Sequence, residues 1–294
     1  MTTIHTLVPD VYELLQTKGW YNGDLTSYLT DNINQRLEAQ WGSDTASKSS
    51  LRLSRMGDCC PKALWYSIHR PEEAEPLPSW AIFKYSYGHI IEALALTLAK
   101  AAGHRVEGEQ DELVVDGIKG HRDAVIDGCV VDVKSATSFK VAESRRGSLE
   151  KSDSFGYLDQ LDGYVLGSAN DPLVTVKDKG YLWFIDKTLG HMNVYEHPAR
   201  PERIRNRIER SKRIVECSSA PPCECGTRER GSSGNIELDV RASYSPYKHS
   251  CFPSLRTFLY ADGPVYLSRV EETPKHHGIP ITEVDRQGRI VYGR

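Results

Sequence analysis

The sequence predicts an α/β protein with a mixed central sheet flanked by helices, preceded by helical residues and followed by a cysteine-containing stretch. Three observations predict this class. Between residues 86 and 198 the periodicity runs helix, three short strands, helix, two strands, the order expected of a sheet core with helices packed on it. The strand-like runs are rich in β-branched residues and bounded by glycine. The chain has 294 residues and 39% hydrophobic content, enough to bury a full core as one large domain or one domain with appendages.

The elements follow in order. Residues 1–50 are a polar, helix-containing lead that ends in the loop-like "WGSDTASKSS". "YGHIIEALALTLAKAAGH" places apolar side chains at Ile91, Leu94, Leu98 and Ala102, which predicts a helix closed by Gly103. "DELVVDGIKG", "RDAVID" and "CVVDVKSA", punctuated by Gly117, Gly120 and Gly128, predict a strand meander. After a polar loop, "YLDQLDGYVLG" predicts a helix, and "GYLWFID" and "HMNVYEH" predict two further strands. Residues 201–216, "PERIRNRIERSKRIVE", form a basic amphipathic helix with Pro201 in its first turn. The expected division is a lead over 1–50, a core over 51–216 and an extension over 217–294.

Composition excludes several classes. A formal charge of -3 gives no global basic field, so a nucleic-acid partner needs a local basic surface. No apolar run approaches the roughly 20 residues that span a bilayer. "MTTIHTLVPDVYELL" lacks a basic segment followed by an apolar one, so a cytoplasmic location is expected. Seven cysteines in a long intracellular chain suit thiols or metal ligands better than a disulfide framework.

The stretch "GHRDAVIDGCVVDVKSAT" carries the chemistry. Side chains alternate faces along a strand, so Asp132 and Lys134 share one face while Val131 and Val133 enter the opposite layer. With Asp123 on a neighbouring strand, two carboxylates can converge on a hard divalent cation, beside a lysine suited to phosphate. An isolated D-x-K triplet is also what a surface salt bridge looks like. Two further pieces stand in order around it: Gly88 and Glu92 on the helix entering the sheet, Gln160 and Tyr164 on the helix leaving it.

Together "GHIIE", "GHRDAVID", "VVDVKS" and "GYLDQLDGY" resemble the RecB-like branch of the PD-(D/E)XK nuclease superfamily over about residues 54–196. The resemblance implies a restriction-endonuclease-like core and a DNA exonuclease, phage-type in character, acting in recombination, repair or DNA degradation. It implies that Glu92, Asp123 and Asp132 ligate Mg²⁺ or Mn²⁺, helped by the carbonyl of Val133. Lys134 would position or activate water, and Gln160 and Tyr164 would orient DNA or the lysine. The first-motif position in RecB itself is commonly histidine; here Glu92 stands there with His89 one turn earlier, and either can be the ligand. Such a metal polarises the phosphate and lowers the pKa of water, while Lys134 can be general base or charge stabiliser. Partners would be DNA and a recombination or single-strand-annealing protein, in the host cytoplasm if the gene is phage-borne. A non-catalytic DNA-binding scaffold and a structure-specific endonuclease are the alternatives.

The cysteines form a second constellation. "SRMGDCCPKALWY" resembles the first cysteine element of CRISPR-associated and AddB-type iron-sulfur nucleases, with Cys60, Pro61 and Lys62 matching. Those families close the cage with C-x2-C-x5-C, where "ASYSPYKHSC" has Ala242 and Ser245 and keeps Cys251. Cys217, Cys223 and Cys225 can substitute, since four thiolates hold a [4Fe-4S] cluster or zinc; unligated thiols are the alternative. The single residue between Cys223 and Cys225 is tight for a metal-thiolate loop, so the expectation is activity with Mg²⁺ or Mn²⁺ and no cluster. Cys129 is expected in the core and His276 and His277 in a solvated turn. For DNA, the loop "FKVAESRRGSLEK" offers Lys140, Arg145 and Arg146, and helix 201–216 a row of arginines.

Overall fold

The computed structural model describes residues 2–17, 23–41, 50–57 and 60–291; most of the loop-like "WGSDTASKSS" lies outside them. In chain order, helices α1 (Leu7–Thr17), α2 (Gly23–Trp41), α3 (Pro61–His69) and α4 (Ser79–Ala101) precede strands β1 (Val106–Glu107), β2 (Glu112–Val115), β3 (Ile118–His121), β4 (Ala124–Ile126) and β5 (Cys129–Ala136). Helices α5 (Ser138–Arg145), α6 (Leu149–Ser152) and α7 (Tyr157–Gly167) lead to β6 (Val176–Asp186), β7 (Met192–Pro198) and α8 (Pro201–Glu216). The rest comprises β8 (Thr227–Glu229), β9 (Ile236–Leu238), α9 (Val240–Ser243), α10 (Lys248–Cys251), β10 (Arg256–Tyr260), β11 (Gly263–Arg269), β12 (Lys275–His276), β13 (Ile279–Pro280) and β14 (Glu283–Val284). No helix among the described residues is long and apolar enough to cross a membrane.

Two compact units divide the chain: residues 1–57 with 77–209, and residues 58–76 with 210–294. These differ from boundaries at 50 and 216. Helices α1 and α2 belong to the first unit because Leu7 and Val11 of α1 bury into its core and Arg36 of α2 pairs with Glu92.

The first unit is a mixed α/β layer structure. Its central sheet has the order β1-β4-β5-β6-β7, with β5 and β6 parallel and the other pairs antiparallel. A parallel pair needs a crossover, and α5 to α7 supply it. The strict alternation of β5 and β6 builds two cores. Val130, Ala136, Leu182 and Phe184 face α7 and α8, whereas Cys129, Val131, Val133, Tyr181, Trp183 and Ile185 face α1 and α4. Cys129 is therefore core, and burial pushes its thiol up to about 11.

Three expectations are corrected here. The meander is broken: β2 and β3 form a hairpin outside the central sheet, with Lys119 also bridged to Arg52, and the chain turns back into the central sheet at Arg122. That side chain is fully buried and binds Asp111 (2.7 Å), Asp171 (2.5 Å), Ser168 Oγ (3.0 Å) and the Gly108 carbonyl (3.2 Å). Within α4, Leu94 faces solvent at 37% exposure while Ala95, Leu96, Leu98 and Ala99 are buried. The loop after β5 is helix α5, started by Thr137, whose hydroxyl accepts from the Lys140 amide.

In the second unit the extension after residue 216 is a five-stranded antiparallel sheet in the order β14-β10-β11-β9-β8, packed on a small core of Leu238, Ala242 and Leu255. Helix α3 belongs to this unit. His276 and His277 are exposed at the β12–β13 turn, where His277 has φ 48.

Candidate active site and thiol centre

Strand alternation places the first site. Asp132 and Lys134 sit on β5 on the α7 side of the sheet, and their side chains meet at 2.7 Å. From α7, Gln160 accepts from Lys134 Nζ (3.2 Å) and donates to the Tyr164 hydroxyl (2.7 Å), so the i,i+4 pair and the lysine form one chain. Two features aim α7 at that point. Gly156, at φ 71, opens the helix, and its Cα comes so close to Gly57 that a Cβ on Gly57 would stand 2.4 Å away. Only a glycine pair fits this contact. Below the ammonium lies the Tyr157 ring, 5.1 Å from centroid to Nζ.

Asp123 stands between β3 and β4, with Oδ2 accepting from the Val133 amide at 2.7 Å. Glu92 comes from α4, where Oε1 takes hydrogen bonds from Arg36 (2.9 and 3.2 Å) and Gln110 (2.9 Å). His89 lies one turn earlier with Nδ1 4.0 Å from Glu92 Oε2. For Val133, the structure shows the amide engaged with the site.

The three carboxylates share one pattern. One oxygen of each is committed to the protein: Glu92 Oε1, Asp123 Oδ2 and Asp132 Oδ2. Neither oxygen of the fully buried Asp132 has a hydrogen-bond partner among the described residues; Oδ2 is met only as an ion pair, by Lys134. A buried anionic oxygen left in this way costs a few kcal/mol unless a cation or proton meets it. Its desolvation pushes Asp132 up to about 7, against the pull of Lys134. Desolvation and then the Glu92 charge push Asp123 up to about 7. Burial also raises Glu92, opposed by Arg36. Lys134 is pulled down by burial but held above the ordinary lysine range by Asp132 and Asp123, and burial raises Tyr164. Crowded buried acids, each with an oxygen to spare, are a donor set that suits a hard divalent cation.

Sequence reasoning missed Arg36, Gln110 and Tyr157. Arg36 comes from a distant helix and Gln110 from a turn at φ 56, with no local pattern to mark them, whereas Tyr157 stands on α7 three residues before Gln160.

The expected DNA-contact residues stand differently. Arg145 and Arg146 are exposed, and Arg145 Nη2 donates to the Met192 carbonyl at 3.1 Å. Lys140 bonds Glu143 Oε2 (2.9 Å) and the Ser152 carbonyl (2.7 Å). The arginine row of α8 is likewise engaged: Arg203 and Arg207 both pair with Asp159, at 2.7 and 3.0 Å.

In the second unit, Cys60, Cys223, Cys225 and Cys251 bring their sulfurs within 4.8 Å of one another. Cys60 precedes Pro61 at the start of α3, Cys251 ends α10, and Cys223 and Cys225 come from the extended segment after α8. The tight spacing of that pair is no obstacle, because the Cys225 amide donates to Cys223 Sγ at 3.4 Å. Cys217 is not part of the group: it is exposed and its thiol donates to the Arg213 carbonyl at 3.3 Å. Hydrogen bonds from Cys225 and Cys251 hold Cys60 well below the ordinary thiol range, while its bonds to Cys251 and Cys60 push Cys225 up.

No family model matches the chain, and no curated protein does. Among solved structures it is similar to SSO0001, at 16% identity and TM-score 0.39 over 78% of this chain and 96% of that one. It is also similar to an alkaline exonuclease, LHK-Exo from Laribacter hongkongensis, at 12% identity and TM-score 0.43 over 60% of this chain and 90% of that one.

Proposed function

We propose that the first unit is a divalent-metal-dependent DNA nuclease, an exonuclease of RecB type serving recombination, repair or DNA degradation. The observation that carries this reading is the set of three carboxylates with one oxygen of each engaged by the protein, joined through Asp132 to the Lys134–Gln160–Tyr164 chain. Glu92, Asp123 and Asp132 would hold Mg²⁺ or Mn²⁺, which supplies phosphate polarisation and a water of lowered pKa. His89 flanks Glu92 as a neighbour.

The chain's own groups have separable tasks. Lys134, ion-paired to Asp132, places a positive charge where the phosphodiester gains negative charge. Gln160 Oε1 accepts a hydrogen bond from the ammonium and fixes its direction, and Tyr164, whose hydroxyl accepts from Gln160 Nε2, fixes Gln160 in turn. Arg36 and Gln110 hold Glu92 by one oxygen and thereby orient the other. Arg145 and Arg146, exposed on α5 and its end, are the basic residues placed to meet backbone phosphates.

The buried Arg36 charge on Glu92 favours a second reading, a non-catalytic DNA-binding protein in which arginine stands in for the metal. Digestion of end-labelled linear and closed circular DNA separates the two. The nuclease reading expects cleavage with Mg²⁺ or Mn²⁺, none with EDTA, and protection of the closed circle if the enzyme needs an end. Binding without cleavage under every metal condition would establish the second reading instead.

A further inference from the structure

The four-cysteine group has a geometry that selects its ligand. An ion bound tetrahedrally by four thiolates at about 2.3 Å requires sulfurs about 3.8 Å apart, since a tetrahedron's edge is about 1.63 times its centre-to-corner length. Cys60 Sγ lies 3.8 Å from both Cys223 Sγ and Cys251 Sγ, and all four sulfurs fall within 4.8 Å of one another. In a [4Fe-4S] cluster each thiolate binds a different iron at the corner of a cube, which forces the sulfurs much further apart. The iron-sulfur cluster implied by the resemblance of the Cys60 element therefore does not fit these residues. A single soft-ligand ion does.

We infer that Cys60, Cys223, Cys225 and Cys251 form a mononuclear four-thiolate zinc site. All four ligand positions come from protein, so the site is structural, with no open position for substrate. Its surroundings suit that role. Cys60 and Cys251 are buried with Ala63 and Tyr247, and Tyr66 and Phe252 pack beside them, while Cys223 and Cys225 are half-buried. The Cys225 amide already bonds a sulfur, as the outer contacts of metal thiolates do. A cavity of about 200 Å³ bordered by Cys60, Cys225, Glu224 and Asp239 provides a path for entry. The ligands come from α3, the segment after α8, and α10, so one ion would tie residues more than 160 positions apart within a unit whose own apolar core is small. Binding releases the protons of the thiols, so affinity falls as pH falls.

Protein purified anaerobically in the absence of added metal is assayed for zinc and iron by mass spectrometry. About one zinc per chain, no iron and a colourless solution are expected. After exchange with Co²⁺, the intense visible bands of tetrahedral four-sulfur cobalt should develop. Cys225→Ser should lose the ion and Cys217→Ser should keep it, because Cys217 stands outside the group. Should Cys225→Ser fail to fold, mercurial titration of the wild-type thiols takes its place, with release of about one zinc per chain expected as the group is blocked. A brown protein with about four irons per chain would overturn the inference, as would a protein that takes up neither zinc nor Co²⁺ under reducing conditions.

Discussion

Asp132 in the first unit is met by a cation of the protein itself, Lys134 at 2.7 Å, whereas Cys60 in the second unit is met by other sulfurs at 3.8 Å. Both places crowd groups that become anionic. In the first, each carboxylate has a fixed partner in the protein, Arg36 and Gln110 for Glu92, the Val133 amide for Asp123, Lys134 for Asp132. In the second, thiols face thiols. On the proposed readings, the difference separates a site for a replaceable, working cation from one for a permanent one: hard carboxylates held singly would bind Mg²⁺ loosely enough for turnover, while four soft thiolates would bind an ion as part of folding.

The comparison is tested most severely at Asp132. Asp132→Ala should reduce cleavage by more than about 10³-fold, beyond the effect of losing a single electrostatic donor, with DNA affinity retained in a gel-shift assay. Cleavage near the wild-type rate would remove Asp132 from the site. Lys134→Ala should lower kcat by about 10²–10⁴-fold and leave Mg²⁺ affinity, followed by calorimetry, within a few-fold of wild type. An equal loss of metal affinity would make the lysine a scaffold for the ligands instead.

A structural test of the first unit uses Arg122, whose fully buried guanidinium joins Asp111 and Asp171. Arg122→Met removes the buried partner of two partly exposed carboxylates together with its bond to the buried Ser168 hydroxyl, and should cost about 1–3 kcal/mol in denaturant unfolding. A loss under about 1 kcal/mol would show that the turn into β4 is held by the sheet alone.

The pH dependence sharpens the contrast further. Asp132 titrates near 7 in the folded chain and near 3.9 unfolded, so the native state holds the proton longer. Metal-free stability from this group is full below about pH 4 and is lost as pH rises to about 7. The stability of Asp132→Asn relative to wild type, measured by melting in EDTA, should therefore grow across that window, by roughly 4 kcal/mol at most, and level off above it. A flat difference would mean that Asp132 stays ionised through the range. The smallest effect belongs to Lys140→Ala: with its ammonium already bound to Glu143 and Ser152, DNA affinity should change by less than about twofold, whereas Arg146→Ala should weaken it and flatten its salt dependence.

Much was legible along the chain because it depends on local periodicity. The helix Tyr157–Gly167, the strand Cys129–Ala136 and the helix Pro201–Glu216 stand where the sequence places them, and the shared face of Asp132 and Lys134 follows from a repeat of two that no packing can alter. The same strand alternation fixed which of its residues enter the opposite core, Val131 and Val133 among them. Only the tertiary structure decided the rest, because it turns on which distant groups compete for the same charge. Lys140 and the α8 arginines read as free cations in sequence, yet Glu143 and Asp159 had first claim on them. Arg36 reached Glu92 across 56 positions. Of the cysteines offered by the sequence, α8 carried Cys217 to the surface and the chain beyond it folded Cys223 and Cys225 onto Cys60 and Cys251. A thiol's neighbours over nearly 200 residues are set by how the strands and short helices between them pack, and spacing along the chain holds no record of that.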